Sequence, residues 1–395
     1  MRVGGAHLTY CTNVHAGESW AETAEALRRH LPDVKERVAH GAPFGVGLRL
    51  SARAAAELAG DGAALADFRA WLADQGLYVF TINGFPYGTF HGTAVKDAVY
   101  RPDWRDPRRL AYSNTLAAVL VDLLDGQPDD VGGSVSTVPG GYKAHLSGPA
   151  DHAAIAEGLV RHAATLDRLA RERGRVVVLA LEPEPGCLLE TIDEAVAFFT
   201  EELFSPAAVS RFAALTGHGR GAAEAALRRH LGLCLDTCHA AVMAEDADAA
   251  LDRLAAAGIT IAKIQVSSGL VLPRADAGGR AALAPFAEGV YLHQTTALAA
   301  DGTATRFADL PDALASAHDG EWRVHFHVPV WADRCGPFAT TQGFTAAVLE
   351  RQRRDGLTAH VEVETYTWDV LPHGARPLSL TDSLALELQW TRERL

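Results

Sequence analysis

Short runs of β-branched and other apolar residues alternate with longer segments of helical period along almost the whole chain. This alternation predicts repeated βα units around a parallel sheet. A closed barrel needs eight strands, and nine segments qualify, so one of them must be a loop or an accessory strand. The candidates are Leu8 to Val14, Gly45 to Leu50, Tyr78 to Asn83, Val131 to Val138, Val176 to Leu181, Leu231 to Asp236, Thr260 to Ser267, Arg323 to Val328 and His360 to Thr365.

The extra strand is predicted to be Arg323 to Val328, because it follows the least regular part of the chain. We expect an α/β fold, a (β/α)8 barrel forming a single domain over residues 1–395. An irregular insertion at about residues 268–320 is expected on the catalytic face. Within it, Asp301-Gly302 lies between two strand-like runs and predicts a hairpin. Ser19 and Glu22 form a capping box that predicts the start of the first long helix.

Composition limits the classes of partner and location. The chain has 395 residues, 48% hydrophobic and 22% charged, which is typical of a folded globular protein. Its formal net charge is -13, and no segment concentrates basic residues, so nucleic acid and anionic membranes are poor candidate partners. No signal peptide or integral membrane segment is evident, so a cytoplasmic location is expected. The five cysteines are scattered and are expected to be reduced thiols.

Two of the candidate strands end abruptly in acidic residues. Glu182 follows the apolar run VVVLAL, and Asp236 ends LGLCLD with His239 three residues later. Polar residues at the carboxyl ends of barrel strands converge on one mouth, where they can bind a metal or move protons. Alternatively, Glu182 is simply solvated and Asp236 is only a helix N-cap. Glu190 either points into the same mouth or opens the next helix.

Two further segments carry paired polar residues at a spacing of two. Glu362 and Glu364 share one side of a strand, where two like charges would be relieved by a cation or by a raised pKa. An edge strand with one wet face is the alternative. His325 and His327 also share one side, which favours a metal or substrate site over two isolated core histidines. Lys263 and Gln265 also lie two residues apart, on another candidate strand. Asn13, His15 and Asn83 lie at strand ends and are weaker candidates, because they can equally be interpreted as turn residues.

Carboxylates combined with imidazole or amide oxygen suit a divalent cation, Mn²⁺, Mg²⁺ or Zn²⁺. Such a cation would polarise carbonyl and hydroxyl oxygens of a sugar-like substrate, while other carboxylates move a proton. The sequence contains no GxGxxG after a first strand, no P-loop and no GxSxG elbow, so dinucleotide, nucleotide and serine-hydrolase functions lack their characteristic residues.

Three of these segments resemble the xylose isomerase-like TIM-barrel superfamily, also called AP endonuclease family 2. They are Glu182-Pro183, the LDTCH segment with Asp236 and His239, and the late Glu-Thr-Tyr with Glu364. The resemblance implies that Glu182, Asp236 and Glu364 ligate a divalent metal and that His239 lies at the metal or substrate. Gln265 stands where many members carry a metal-binding histidine, so either Gln265 or His327 would complete the metal shell.

Other segments are similar to the EboE family of metabolite traffic proteins: YCTNVHAGESW, FPYGTFHG, VKDAVYRPDW and KIQVSSGL. This narrower resemblance implies a role in a small-metabolite pathway. It does not supply a reaction.

The leading hypothesis is a metal-dependent isomerase or epimerase acting on a sugar, sugar phosphate or cyclitol-like metabolite. The expected metal ligands are Glu182, Asp236, Gln265, His327 and Glu364. The expected catalytic residues are Glu190, His239 and Glu362, and the expected substrate-binding residues are Asn13, His15, Asn83, Lys263 and His325. A non-catalytic metabolite-binding or traffic protein is the alternative. An AP endonuclease-like phosphodiesterase is the third hypothesis. The net charge of -13 argues against it, because the protein would repel the phosphates of nucleic acid.

Overall fold

Eight parallel strands form a barrel in the structure, a computed structural model that describes residues 1–92, 94–371 and 379–395. A short additional strand, β1, pairs antiparallel with the edge of β2. The order of strands around the sheet is β1-β2-β15-β8-β7-β6-β5-β4-β3. Their bounds are β1 Arg2–Val3, β2 Ala6–Tyr10, β3 Phe44–Arg49, β4 Leu77–Asn83, β5 Gly133–Thr137, β6 Val177–Leu181, β7 Leu231–Asp236, β8 Ile261–Val266 and β15 His360–Val363.

The barrel closes between β2 and β3 through few contacts. A single parallel bridge joins Cys11 to Gly47. The Thr9 hydroxyl supplements it, since Oγ1 donates to Gly45 O at 2.7 Å and accepts from Gly47 N at 3.0 Å. A side chain therefore completes the seam where the backbone ladder is thin.

A second, six-stranded antiparallel sheet follows β8, in the order β11-β10-β12-β9-β14-β13. Its strands are β9 Leu270–Leu272, β10 Thr295–Leu298, β11 Ala304–Phe307, β12 Glu321–Val324, β13 Arg334–Cys335 and β14 Phe338–Thr340. The predicted hairpin at Asp301-Gly302 is confirmed as the pair β10–β11. The candidate strand predicted to be extra, Arg323 to Val328, overlaps β12 and lies outside the barrel sheet, as predicted. The second sheet extends from Leu270 to Thr340, beyond the expected insertion at residues 268–320. That the whole chain forms a single domain stays a prediction.

Helices cover the outside of the barrel with their apolar faces inward. Leu27, Leu31, Val34 and Val38 of the first long helix are buried, and its predicted capping box is present. The helices are α1 Trp20–Ala39, α2 Ala52–Gly60, α3 Gly62–Asp74, α4 Pro107–Leu124, α5 Pro149–Arg173, α6 Ile192–Phe198, α7 Pro206–Thr216, α8 Arg220–His230, α9 Thr237–Val242, α10 Ala247–Ala256, α11 Ala277–Leu283, α12 Leu310–Ala315, α13 Gln342–Asp355 and α14 Leu380–Arg392. Among the described residues, no helix is long and apolar enough to span a membrane.

Candidate metal centre

Three carboxylates from three strand ends meet at the mouth of the barrel. Glu182 follows β6, Asp236 ends β7 and Glu364 follows β15, and one oxygen of each lies within 4.8 Å of the others. All three are buried. Burial, together with repulsion from the neighbouring carboxylates, raises the pKa of Glu182 and of Glu364 well above its ordinary value. The Glu182 Oε2 atom has no hydrogen-bond partner among the described residues, so the cluster contains an unsatisfied acceptor where a cation would bind.

Gln265 lies between the three carboxylates because β8 pairs with both β7 and β15. Asp236 and Glu362 are its neighbours across the two ladders. Its Nε2 donates to Glu182 Oε1 at 2.9 Å and to Asp236 Oδ2 at 3.4 Å, and it also contacts Glu364 Oε2. Its Oε1 accepts from Cys234 Sγ at 2.9 Å. The amide group of Gln265 therefore connects the three carboxylates to one another.

Asp236 is both a helix cap and a member of the cluster, so the two interpretations offered by the sequence are compatible. Its Oδ1 accepts from the backbone N of His239 at 2.9 Å, which caps α9, and from Ser267 Oγ at 2.7 Å. Its Oδ2 faces Gln265. One oxygen therefore fixes the local backbone while the other remains directed at the carboxylate cluster.

Two asparagines orient Glu364. Asn13 and Asn83 donate from Nδ2 to its Oε1 at 2.7 and 3.0 Å. Asn83 is further fixed because its Oδ1 accepts from Phe85 N at 3.1 Å. The Asn13 Oδ1 atom is buried and has no hydrogen-bond partner in the part of the chain that the structure describes. Both residues line the cavity above the carboxylates.

Three buried histidines lie beside the carboxylates, and all hold a hydrogen bond from Nδ1. The acceptors are Pro183 O for His239 at 3.1 Å, Gln294 Oε1 for His325 at 2.7 Å and Glu364 O for His327 at 2.7 Å. These oxygens can only accept, so Nδ1 carries the proton and Nε2 offers its lone pair. Burial keeps the rings neutral, lowering the pKa of His239 to about 4 and that of His325 and His327 below its ordinary value.

Glu184 is a fourth carboxylate in the cavity, and sequence reasoning did not select it. Its Oε1 accepts from Tyr100 Oη at 2.6 Å, and burial raises the pKa of Glu184 to about 8. Tyr100 Oη in turn accepts from Gln294 Nε2 at 2.8 Å. The repeated Glu-Pro pair at Glu182 and Glu184 was the available signal, but spacing alone did not show that both side chains face the mouth.

The cavity above these groups has a polar end and an apolar wall. Its enclosed volume is about 50 Å³, which is room for a few water molecules, and it opens to solvent at its mouth. Lys96 at its edge is already engaged, since Nζ donates to Tyr291 O at 2.7 Å and to Asp309 Oδ2 at 2.6 Å. The polar end is formed by Asn13, Asn83, Glu182, Glu184, His239, His325 and Glu364, and the wall by Phe85, Pro86, Phe90, Val95, Val99, Leu292 and the tyrosines Tyr100, Tyr291 and Tyr366.

Four predicted site residues lie away from both the carboxylate cluster and the cavity and make other contacts. Lys263 forms an ion pair with Glu362, and both are fully buried in the barrel interior. Glu190 pairs with Lys143 at 2.7 Å and Arg306 at 3.0 Å. His15 bonds to Tyr10 Oη at 3.0 Å and stacks on His30. The structure brings together the other nine predicted residues: Asn13, Asn83, Glu182, Asp236, His239, Gln265, His325, His327 and Glu364.

Similar solved structures include a xylose isomerase domain protein from Planctomyces limnophilus, at 13% identity over 92% of this chain and 90% of that one, with a TM-score of 0.49. A probable 3-DHS dehydratase, AsbF, from Bacillus anthracis matches at 12% identity over 97% of each chain, with a TM-score of 0.46. An IolI protein with a bound zinc atom matches at 12% identity over 98% of this chain and 96% of that one, with a TM-score of 0.42.

No protein-family model matches the chain, and no curated protein matches it. Likenesses to solved structures at this identity and TM-score are too weak to assign a family or an activity. The (β/α)8 barrel is established by the strand order and pairing of the chain itself.

Proposed function

We propose that this protein is a metal-dependent isomerase or epimerase acting on a sugar-like or cyclitol-like polyol. The observation that carries this proposal is the convergence of three buried carboxylates beneath a cavity that has a polar end and an apolar wall. Among the described residues, one of the carboxylate oxygens, Glu182 Oε2, has no hydrogen-bond partner. The resemblance of several sequence segments to the EboE family supports a place in a small-metabolite pathway.

The residues at the cavity floor fit a divalent cation, Mn²⁺, Mg²⁺ or Zn²⁺. Glu182, Asp236 and Glu364 would hold it, because oxygen ligands of this kind suit hard cations and would lose their mutual repulsion on binding. The amide of Gln265, which contacts all three carboxylates, would lie beside the cation. When bound, the cation would polarise a hydroxyl or carbonyl oxygen of the substrate.

Proton transfer falls to cavity groups other than the three carboxylate ligands. Glu184 reaches the cavity, and Tyr100 holds its carboxyl group in one orientation. His239 is neutral with Nε2 as its acceptor atom, so it can accept a proton from a substrate hydroxyl. Isomerisation at a carbon next to a carbonyl requires one group that removes a proton and one that returns it. Glu184 and His239 are the pair that the geometry provides.

The groups that line the cavity suit an uncharged polyol better than a phosphate ester. Amide and imidazole groups at the polar end can bind hydroxyls. The Lys96 ammonium donates its hydrogen bonds to three protein oxygens, so it is not available to bind a phosphate. The apolar wall excludes water from the reacting atoms. A sugar or a cyclitol is therefore preferred over a sugar phosphate.

A non-catalytic metabolite-binding protein is the second candidate, and Gln265 favours it. An amide oxygen is a weaker metal ligand than the histidine that the family resemblance implies at this position. The amide nitrogen of Gln265 donates to Glu182 and to Asp236. Such a protein would bind a polyol without converting it. The phosphodiesterase reading is the weakest of the three, since the chain carries a net charge of -13.

Metal analysis followed by isotope exchange tests the proposal. Glu182→Gln and Asp236→Asn should each lose about one equivalent of divalent metal relative to wild type, whereas Glu190→Gln should lose none. Loaded wild type incubated in D₂O with ketoses, aldoses and inososes should introduce deuterium at carbon, and Glu184→Gln should lower that rate by about 10²-fold or more.

Wild type that takes up no metal, or Glu182→Gln that retains all of it, would overturn the metal-dependent mechanism. Tight polyol binding without deuterium incorporation across the panel would instead support the binding protein.

A further inference from the structure

We propose that the hydroxyl group of Tyr366 makes the site select a polyol that carries a carbonyl group, by donating a hydrogen bond to the carbonyl oxygen. Tyr366 follows β15, two residues after Glu364, and its side chain lines the cavity. This inference rests on the proposed function and deepens it, because it narrows the substrate from polyols in general to oxo-polyols.

The main observation concerns the tyrosine hydroxyls in the cavity wall. The hydroxyl of Tyr100 donates to Glu184 Oε1 at 2.6 Å. The hydroxyl of Tyr291 donates to Phe90 O at 3.0 Å. Among the described residues, no acceptor lies within hydrogen-bond distance of the Tyr366 hydroxyl, although this side chain lines the same cavity. A donor in this position is available to bind an oxygen of a ligand.

The side chain of Tyr366 is held in place by its neighbours. Its ring centroid lies 4.7 Å from that of His327 and 5.0 Å from that of Tyr291. On either side along the chain, the hydroxyl groups of Thr365 and Thr367 form hydrogen bonds within the protein. The donor is therefore positioned before a ligand arrives, which reduces the entropic cost of binding.

Two other polar atoms at the cavity that lack a partner are acceptors. Asn13 Oδ1 and His325 Nε2 make no hydrogen bond within the described part of the chain. His325 Nδ1 donates to Gln294 Oε1, so Nε2 has only a lone pair to offer. Both atoms can accept from the hydroxyl groups of a polyol, but neither can bind a carbonyl oxygen. The hydroxyl of Tyr366 supplies the hydrogen atom that such an oxygen requires.

The surroundings of Tyr366 keep its hydroxyl in the donating form. Burial, and then the negative charges of Glu184 and Glu364, raise the pKa of Tyr366 well above its ordinary value. The enclosed part of the cavity has room for a few water molecules, so one edge of a polyol would enter it while the rest lies toward the mouth. A carbonyl oxygen on that edge has two lone pairs, so it can accept from Tyr366 even when it also faces a cation.

Ligands with and without the carbonyl group test this role. The oxo-polyols are scyllo-inosose and D-fructose, and each is paired with the compound in which a methylene group replaces the carbonyl. Isothermal titration calorimetry of the full-length protein, with Mn²⁺ present, measures the dissociation constants. Tyr366→Phe should bind the better oxo-polyol about tenfold more weakly than wild type does, and should bind its methylene counterpart equally well. Equal binding of the counterpart also shows that the site of the variant is intact.

Tyr78→Phe is the matched control. It removes a hydroxyl at the start of β4, at the opposite end of the strand from the cavity, where Tyr78 Oη bonds to His7 Nδ1 at 2.8 Å. This variant should bind all of the compounds as wild type does. Circular dichroism checks that both variants are folded.

Two results for Tyr366→Phe would overturn the inference while leaving the proposed function in place. They are an unchanged affinity for the oxo-polyol, and an equal loss of affinity for the oxo-polyol and its methylene counterpart. Wild type that binds none of the compounds would instead overturn the proposed function, and this inference with it.

Discussion

The side-chain nitrogen of Gln265 lies 2.9 Å from Oε1 of Glu182, at the point where three carboxylates converge. Its amide hydrogens reduce the repulsion that a cation would otherwise relieve. We therefore expect the contribution of Gln265 to the free energy of unfolding to be largest in protein from which divalent metal has been removed.

Gln265→Met removes the amide while keeping the length of the side chain. We expect the free energy of unfolding without divalent metal to fall by about 1–3 kcal/mol, since buried acceptors lose their donors. Saturating Mn²⁺ should restore most of the loss. Urea unfolding with chelator and with Mn²⁺ measures both values.

Gln352→Met is the matched control for Gln265→Met. Gln352 is buried in α13 and bonds to Thr358 through both ends of its amide, at 2.8 and 2.9 Å. Its replacement should also destabilise the protein, but to the same extent with and without Mn²⁺. A loss at Gln265 that Mn²⁺ leaves unchanged would show that its amide does not substitute for a cation.

Because Lys263 and Glu362 form an ion pair, we expect substitutions at the two positions to have strongly non-additive effects on the free energy of unfolding. Both side chains are fully buried, and the Glu362 partner raises the pKa of Lys263 despite its burial. Lys263→Met alone should cost about 3–5 kcal/mol because it leaves a buried carboxylate without its cation. The double variant Lys263→Met with Glu362→Met should recover most of that loss. Additive losses in chemical denaturation would contradict a pair that acts as one unit.

Gly47 is predicted to tolerate no side chain. A Cβ atom there would lie 1.8 Å from Glu362 Oε1 and 2.7 Å from Tyr10 O, so the barrel wall would have to move at its thin seam. Gly47→Ala should lower the free energy of unfolding by about 1–3 kcal/mol or more. Gly221→Ala in α8 should be neutral or stabilising, because a Cβ atom there would meet no described residue within 4 Å apart from its own chain neighbours and helix backbone. Equal thermal midpoints for the two variants would refute the steric argument.

Much of the site could be predicted because parallel barrel strands deliver their carboxyl ends to one mouth. Glu182, Asp236 and Glu364 each follow an apolar strand, and that pattern is local in the sequence. Glu362 shows the limit of this reasoning. It shares a side with Glu364, but two residues along a strand amount to about 6.6 Å of depth, so it lies a layer below the mouth. There it meets Lys263, two residues before Gln265 on the adjacent strand, and only strand register reveals this pair.

The second sheet could be predicted only in part for a similar reason. A hairpin is encoded in a few adjacent residues, so β10–β11 was recognisable from Asp301-Gly302. The pairing of β12 with β9 and β10 joins segments far apart in sequence, and no local signal specifies it. Gln294 was therefore not identified, although it connects Glu184, through Tyr100, to His325.

We expect the buried carboxyl group of Glu387, which lies away from the candidate metal centre, to make the free energy of unfolding depend on pH. This residue of α14 is fully buried, and its Oε1 accepts from Thr365 Oγ1 at 2.6 Å and Val330 N at 3.2 Å. Burial raises the pKa of its carboxyl group to about 8 from an ordinary value of 4.5. Between these two pH values the folded protein keeps a proton that the unfolded chain has lost. This group's contribution to stability therefore falls as pH rises through that window and is level above it.

Glu387→Gln removes the titrating group while retaining the accepting oxygen. The variant should match wild type near the low end of the window and should be more stable by about 1–3 kcal/mol above pH 8. Urea unfolding at several pH values measures the difference, with the exposed Glu350→Gln of α13 as the control expected to follow wild type throughout. A stability difference between Glu387→Gln and wild type that does not change with pH would mean that Glu387 ionises alike in the folded and unfolded chains.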